Sequence, residues 1–76
     1  MEIAVLGGGH GCYAAAAELS EKGHSVRFWR RDAEALRPVI EAGSISVTDF
    51  LGDRDIAIAR PTASLKEAID GAQLIV

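Results

Sequence analysis

The feature that most constrains this chain is a glycine cluster close to its start. A short apolar run, residues 2–6, leads directly into Gly7-Gly8-Gly9-His10-Gly11-Cys12, and an alanine-rich stretch follows. This order predicts a strand, a tight turn and the beginning of a helix. A helix N-terminus carries unpaired N–H groups and a partial positive charge, and glycines let an anion come close to both. The cluster therefore predicts a site for the pyrophosphate of a dinucleotide.

Two registers of the fingerprint G-x-G-x-x-G fit this cluster. In the first, Gly7 makes the turn, Gly9 approaches the phosphate, and Cys12 replaces the third glycine with a side chain that is still small enough for close packing. In the second, the fingerprint begins at Gly9 and ends at Ala14. We prefer the first register because the second starts beyond the predicted strand. A glycine-rich turn in an unrelated α/β protein stays open, whereas a Walker-type loop is excluded because no Gly-Lys-Ser/Thr follows.

The rest of the chain predicts alternating strands and helices. An apolar alternation typical of a strand follows Gly23, Asp32 is placed to cap a helix, and Gly43 is placed to end that helix, which Pro38 should divide into two pieces. The predicted elements after the glycine cluster are a helix over about 10–22, a strand over 25–29, a helix over about 33–42, a hairpin of 44–48 and 55–60 with a turn at 49–54, a short helix over 64–69 and a buried parallel strand over 72–76.

These elements predict an α/β fold with a Rossmann-type parallel sheet, of which the chain supplies a truncated βαβ half with a β-hairpin insertion. A complete doubly wound nucleotide domain contains two such halves, and this chain has 76 residues. We therefore expect residues 1–76 to be the N-terminal part of an NAD(P)-binding domain, with the catalytic domain outside this chain.

The end of the second predicted strand bears on the kind of dinucleotide. A carboxylate at this place accepts hydrogen bonds from the adenosine ribose, whereas arginine pairs with a 2′-phosphate. The strand is followed by Arg30 and Arg31, so we predict that these two side chains bind the 2′-phosphate of NADP. NAD stays the alternative because Asp32 follows at a suitable distance from the glycine cluster, although we favour a helix-capping role for it.

Three residues near the predicted site have an ordinary and a functional interpretation. For Cys12 we favour packing over a reactive thiol at a helix N-terminus. His10 either contacts a phosphate or the nicotinamide side of the cofactor, or is a solvent-exposed loop residue, and its sequence position favours neither. For Trp29 we favour a place in the core or at a domain interface over a platform for adenine.

Composition and charge narrow the class of protein. The formal net charge is -3, and 49% of the residues are hydrophobic without a long apolar run, so we expect neither nucleic-acid binding nor membrane insertion. The single cysteine, Cys12, and the lack of a signal-peptide pattern indicate a cytoplasmic protein. No spacing of cysteine, histidine or carboxylates predicts a metal site or an acid–base dyad. An unpaired sheet edge would favour a homodimer.

Five segments taken together point to a known family: residues 5–11, 14–19, 22–29, 41–45 and 68–76. They resemble the N-terminal cofactor domain of the opine (octopine/nopaline) dehydrogenases. The same plan is similar to that of ketopantoate reductases and glycerol-3-phosphate dehydrogenases, which belong with them to one 6-phosphogluconate-dehydrogenase-like group. The chain departs from the opine pattern at His10, Cys12 and Arg30, where asparagine, glycine and, in NAD-using relatives, an acidic residue are usual.

The resemblance implies hydride transfer by an NAD(P)-dependent dehydrogenase. The full-length protein would reduce an imine formed from an amino acid and a 2-oxo acid, or a ketone as in the sister families. The catalytic residues of such enzymes lie in a helical C-terminal domain, so none is assigned here and the chain alone should not be catalytic. A non-enzymatic nucleotide-binding module is the alternative from a different class.

Overall fold

The computed structural model describes residues 1–7, 9–50 and 52–76, with all of their side chains except that of His10. Within these residues the chain forms six strands and three helices. In chain order they are β1 (Glu2–Leu6), α1 (His10–Glu21), β2 (Ser25–Trp29), α2 (Ala33–Ala42), β3 (Ser44–Asp49), β4 (Gly52–Ala57), β5 (Arg60–Thr62), α3 (Leu65–Ile69) and β6 (Leu74–Ile75).

Four strands form one parallel sheet in the order β5-β2-β1-β6. The remaining two, β3 and β4, pair as an antiparallel hairpin outside this sheet. If the four sheet strands are numbered 1 to 4 in the order in which they occur along the chain, their order across the sheet is 3-2-1-4. This is the order of the first strands of a Rossmann-type sheet. The predicted α/β class, the parallel sheet and the hairpin insertion are all confirmed.

The helices cover both faces of the parallel sheet. Because side chains alternate along a strand, Val5 and Phe28 face one side and Ala4 faces the other. The first side packs against α1, α2 and the hairpin, while Ala4 is fully buried together with Ala68 of α3. The main core cluster consists of Ile3, Val5, Ala16, Ala17, Val26, Phe28, Leu36, Val39, Ile45, Ile56 and Ile58.

The C-terminus of α1 is closed by the predicted glycine. Gly23 has a φ of +96°, a conformation that favours glycine. The N–H groups of Gly23 and His24 donate to the carbonyls of Ser20 and Leu19 at 3.0 and 3.1 Å. This pair of bonds is a Schellman motif, which ends the helix and turns the chain back toward β2.

The second helix is continuous, so its predicted division at Pro38 is wrong. Asp32 caps it by accepting hydrogen bonds from the N–H groups of Glu34 and Ala35, and Gly43 ends it with a φ of 68°. Pro38 removes only the hydrogen bond to the Glu34 carbonyl. Two capped ends and two residues buried in the core hold the helix in spite of that loss.

The hairpin is longer, and its turn shorter, than the sequence predicted. The register of β3 and β4 extends to the pair Asp49 and Gly52, whereas the prediction assigned residues 49–54 to the turn. Polar residues of β4 are typical of turns, but they are accommodated here because the strand is largely exposed. The hydroxyl of Ser46, for example, donates across the hairpin to the carboxylate of Asp55 at 2.7 Å.

A strand that the sequence did not predict, β5, pairs in parallel with β2. Arg60 was assigned to the hairpin, and Pro61 and Thr62 to the exit from it. Pro61 disfavours a strand because it has no N–H to donate, but β5 lies at the edge of the sheet, where proline is tolerated.

The last helix and strand are present, with one correction. The hydroxyl of Ser64 accepts a hydrogen bond from the N–H of Glu67 at 3.3 Å, which confirms the predicted cap. The predicted burial of the last strand is wrong: Leu74 and Ile75 are about half exposed, because β6 is the other edge of the sheet.

Candidate functional site

The glycine turn leaves the sheet where the strand order changes direction. β1 ends at Leu6, and its neighbours are β2 on one side and β6 on the other. The N–H of Leu6 donates to the Val76 carbonyl, and the N–H of Gly7 donates to the Trp29 carbonyl, both at 3.0 Å. In open α/β sheets, ligands bind at such a switch point, beyond the carboxyl ends of the strands.

Gly7 lies close to the side chain of Cys12 in α1. Gly7 has a φ of +128°, and a Cβ on it would lie 3.0 Å from the Sγ of Cys12. The half-buried thiol of Cys12 donates to the Leu6 carbonyl at a sulfur–oxygen distance of 3.6 Å. This geometry favours the register in which Cys12 is the third small residue of the fingerprint, and it agrees with a packing role for the thiol.

Among the described side chains, none caps the N-terminus of α1. Gly9 is the N-cap residue and has extended backbone angles, and the N–H groups of Cys12 and Tyr13 donate to its carbonyl at 3.0 and 3.3 Å. A Cβ placed on Gly9 or Gly11 would meet no heavy atom within 4 Å. The first turn therefore faces open space with its partial positive charge, as an anion site requires.

The contacts described above do not include two of the predicted site residues. Gly8 lies outside the described residues, and so does the side chain of His10. Their assignment to phosphate binding stays a prediction.

Arg30 lies at the same edge of the sheet, immediately after β2. Its Nη1 donates to the hydroxyl of Tyr13 at 2.8 Å, and its guanidinium carbon is 5.6 Å from the centre of the Tyr13 ring. The same ring makes an edge-to-face contact with Phe28, with centroids 4.9 Å apart. Arg30 is thereby held beside the first turn of α1. Within residues 1–7, 9–50 and 52–76, no carboxylate lies at ion-pair distance from Arg30.

The residues that follow Arg30 differ in their surroundings. Arg31 is exposed. The Oδ1 atom of Asp32 accepts hydrogen bonds from the N–H groups of Glu34 and Ala35 at 3.0 and 3.3 Å. The capping role predicted for Asp32 is therefore confirmed. Trp29 is half-buried, and its Nε1 donates to the Ala63 carbonyl at 3.0 Å.

Sequence reasoning missed the contact between Tyr13 and Arg30. The signal that could have found it is the parallel pairing of β1 with β2, which aligns Leu6 with Trp29. This pairing brings the residue after each strand to the same edge of the sheet. A side chain in the first turn of the helix after β1 then faces a side chain directly after β2.

A second concave region lies between α1 and the hairpin. It is a groove of about 350 Å³, lined among others by Ala17, Glu18, Phe50 and Ile56. Phe50 is 95% exposed at the tip of the hairpin.

Arg54 pairs with two of the carboxylates that line this groove, those of Glu21 and Asp49. Arg54 donates through Nη1 to Asp49 at 2.9 Å and through Nη2 to Glu21 at 3.0 Å. The hydrogen bond from Arg54 lowers the pKa of Glu21, and the bonds to Glu21 and then to Asp49 raise the pKa of Arg54. These contacts fix the hairpin to the C-terminal half of α1.

The described residues show neither a metal-binding cluster nor a helix that could span a membrane. No group of three or more histidine, cysteine, aspartate or glutamate side chains that could hold a metal occurs in the part of the chain that the structure describes. Of the helices in that same part, none has the length and apolar character needed to cross a bilayer.

Comparison with known proteins gave one informative similarity. No family model matches the chain. Over 68 residues, 88% of the chain, it is 40% identical to the glycerol-3-phosphate dehydrogenase (NAD(P)+) of Thioalkalivibrio sulfidiphilus. The aligned part is 20% of that enzyme, so the chain spans about a fifth of its length. This relative belongs to one of the sister families named above and not to the opine dehydrogenases.

Proposed function

We propose that this chain is the dinucleotide-binding part of an NAD(P)-dependent oxidoreductase. The observation that carries the proposal is the uncapped N-terminus of α1, which faces open space at the switch point of a parallel sheet. Backbone N–H groups and the helix dipole favour a phosphate at this place. The similarity to an enzyme named for NAD(P)+ supports the same conclusion.

The residues present fit the pyrophosphate of such a cofactor. Gly7 makes the turn with a backbone angle suited to glycine, and Gly9 and Gly11 leave open the space that a Cβ would fill. We assign the pyrophosphate to the backbone of this cluster, with Gly8, His10 and the backbone near Cys12 included on sequence grounds alone.

NADP is the dinucleotide that the second strand favours. Arg30 stands beside α1 with its charge unopposed by any carboxylate of the described residues. Asp32, the candidate ribose ligand for NAD, already caps α2. We therefore assign the 2′-phosphate to Arg30 and Arg31, because guanidinium groups recognise phosphate through charge-assisted hydrogen bonds.

The cofactor would supply hydride chemistry, while this chain would bind and orient it. For the whole protein we propose a small-molecule substrate. The similarity to a glycerol-3-phosphate dehydrogenase favours glycerol 3-phosphate over the keto or imino acid that the opine resemblance implies. The catalytic residues are assigned to the rest of the protein.

The proposal is tested by titrating the protein, at its full natural length, with NADPH and NADH side by side. Wild type, Arg30→Ala and Arg60→Ala are compared by cofactor fluorescence. Arg60 is the control because it is an arginine of the strand that neighbours β2, but it begins β5 and so lies away from the carboxyl ends of the strands.

We expect NADPH to bind more tightly than NADH, and Arg30→Ala to reduce NADPH affinity by about 10- to 100-fold, the range of a charge-assisted hydrogen bond. Arg60→Ala should bind NADPH as wild type does. If wild type binds neither dinucleotide, the proposed function is wrong. If NADH binds as tightly as NADPH, the dinucleotide site stands and the NADP assignment falls. Turnover of glycerol 3-phosphate with NADP+, compared with reduction of keto-acid and amino-acid pairs by NADPH, then separates the two substrate classes.

A further inference from the structure

We propose that Tyr13 positions Arg30 for the 2′-phosphate and so determines the preference for NADP over NAD. This inference rests on the proposed dinucleotide site and adds a residue that the glycine fingerprint does not contain. The juxtaposition that carries it is a phenol from the first turn of α1 against a guanidinium from the end of β2.

Tyr13 is itself fixed by the core. Its ring meets Phe28 at an interplanar angle of 71°, and Phe28 of β2 is fully buried in the main core cluster. An edge-to-face pair with one buried partner restricts the rotation of the ring. The tyrosine hydroxyl therefore has a defined place beside the end of β2, where Arg30 begins the next segment.

Arg30 has two contacts with this fixed ring. Its Nη1 donates to the hydroxyl of Tyr13 at 2.8 Å, and its guanidinium lies over the ring face at 5.6 Å. A free arginine side chain loses much rotamer entropy when it binds a ligand. Because Tyr13 already holds the guanidinium in the folded protein, part of this rotamer entropy is lost during folding and does not reduce the affinity for the cofactor.

The contact leaves the charge of Arg30 available. Tyrosine is neutral, so it orients the guanidinium without cancelling its charge, whereas Arg54 is held by two carboxylates. A guanidinium has five N–H donors, and the hydrogen bond to Tyr13 uses one of them. The Tyr13 hydroxyl also keeps its own proton as a donor while it accepts from Arg30. The pair offers several hydrogen-bond donors and one positive charge. It should therefore interact more favourably with the charged 2′-phosphate of NADP than with the neutral ribose hydroxyls of NAD.

The test is a double-mutant cycle on the full-length protein with Tyr13→Phe, Arg30→Ala and the combined variant. Tyr13→Phe keeps the ring and its contact with Phe28, so the fold is retained, and thermal unfolding of each variant checks this. Dissociation constants for NADPH and NADH are measured separately, because a merely structural role would move both together.

We expect Tyr13→Phe to weaken NADPH binding by between about two- and tenfold, the range of a typical intramolecular hydrogen bond, and to change NADH binding by less than about twofold. In the Arg30→Ala background, Tyr13→Phe should have no further effect on NADPH, because its action runs through Arg30.

Three results would overturn the inference. Equal losses for NADPH and NADH would make Tyr13 a structural residue. If Tyr13→Phe still weakened NADPH binding in the Arg30→Ala background, or if Tyr13→Phe alone bound NADPH with wild-type affinity, Tyr13 would not act through Arg30. The dinucleotide site itself would stand in either case. A wild-type protein that binds neither dinucleotide would overturn the site and the inference together.

Discussion

The two halves of α1 differ in whether the arginine beside them is paired with carboxylates. At its N-terminal end the helix has no side-chain cap, and the nearby Arg30 is held by the neutral ring of Tyr13. Along its C-terminal half, Glu21 and the hairpin residue Asp49 both pair with Arg54. Both regions contain an ordered arginine, but only one of the two guanidinium groups is neutralised by carboxylates within the described residues.

This difference distinguishes a structural arginine, Arg54, from the arginine that we propose to bind a phosphate, Arg30. The carboxylates around Arg54 join the hairpin to α1 and leave little charge for a ligand. Among the described residues no carboxylate pairs with Arg30 beside the helix N-terminus, so an anionic ligand would balance the positive charge there. Variants in the first region should therefore change binding, and variants in the second should change stability.

The largest expected effect is that of a substitution at Gly7, which lies near the N-terminal end of α1 but should change stability. Gly7→Ala should lower the free energy of unfolding by about 1–3 kcal/mol, because alanine is strained at positive φ. Its methyl would also press on the Sγ of Cys12 at 3.0 Å. Denaturant unfolding measures the change. Gly9→Ala is the matched control, since its Cβ meets no atom, and equal losses for the two variants would contradict the structure.

A smaller loss of stability is expected from Arg54→Met, which removes the charge but keeps an apolar stem. The thermal midpoint should fall by less than for Gly7→Ala, since partly exposed ion pairs contribute little each. NADPH affinity should stay at the wild-type value. Arg30→Met should give the reverse pattern, and a drop in NADPH affinity for Arg54→Met would abolish the distinction between the two regions.

The smallest expected effect is a pH dependence of the hairpin anchor. The pKa of Glu21 in the folded protein lies below its ordinary value of 4.5, chiefly because Arg54 donates a hydrogen bond to it. A lowered carboxyl pKa contributes stability that is complete above the ordinary value and is lost as the pH falls through the folded pKa. Thermal midpoints measured from neutral pH downward should therefore fall less steeply with acid in Arg54→Met. Parallel curves for the two proteins would exclude Glu21 as a source of acid sensitivity.

Much of the fold was predictable because its signals are local. The strands before and after α1 have the predicted bounds, and Gly23, Asp32 and Gly43 end or cap helices as expected. Pro38 was misjudged because two good caps and a buried face outweigh one missing hydrogen bond. The strand at Pro61 was missed because only the sheet order shows that it lies at an edge.

The residues of the candidate site could be predicted from the sequence, but their spatial arrangement could not. The glycine cluster and Arg30 stand out in the sequence because their chemistry is distinctive there. The contact between Arg30 and Tyr13 depends on the parallel register of β1 and β2, which is a tertiary property. The Arg54 anchor joins residues 33 positions apart and has no local signal at all.

The most direct test of the central claim is the NADPH affinity of Gly9→Ala, with Gly11→Ala measured beside it. Both substitutions place a methyl in open space, so neither should disturb the fold. If a pyrophosphate binds against Gly9, Gly9→Ala should lose about tenfold or more in affinity, or at least about 1.4 kcal/mol. Gly11→Ala should lose less, because in the preferred register Gly9, and not Gly11, is the fingerprint glycine that approaches the phosphate. Wild-type affinity in Gly9→Ala would contradict a dinucleotide site at the start of α1.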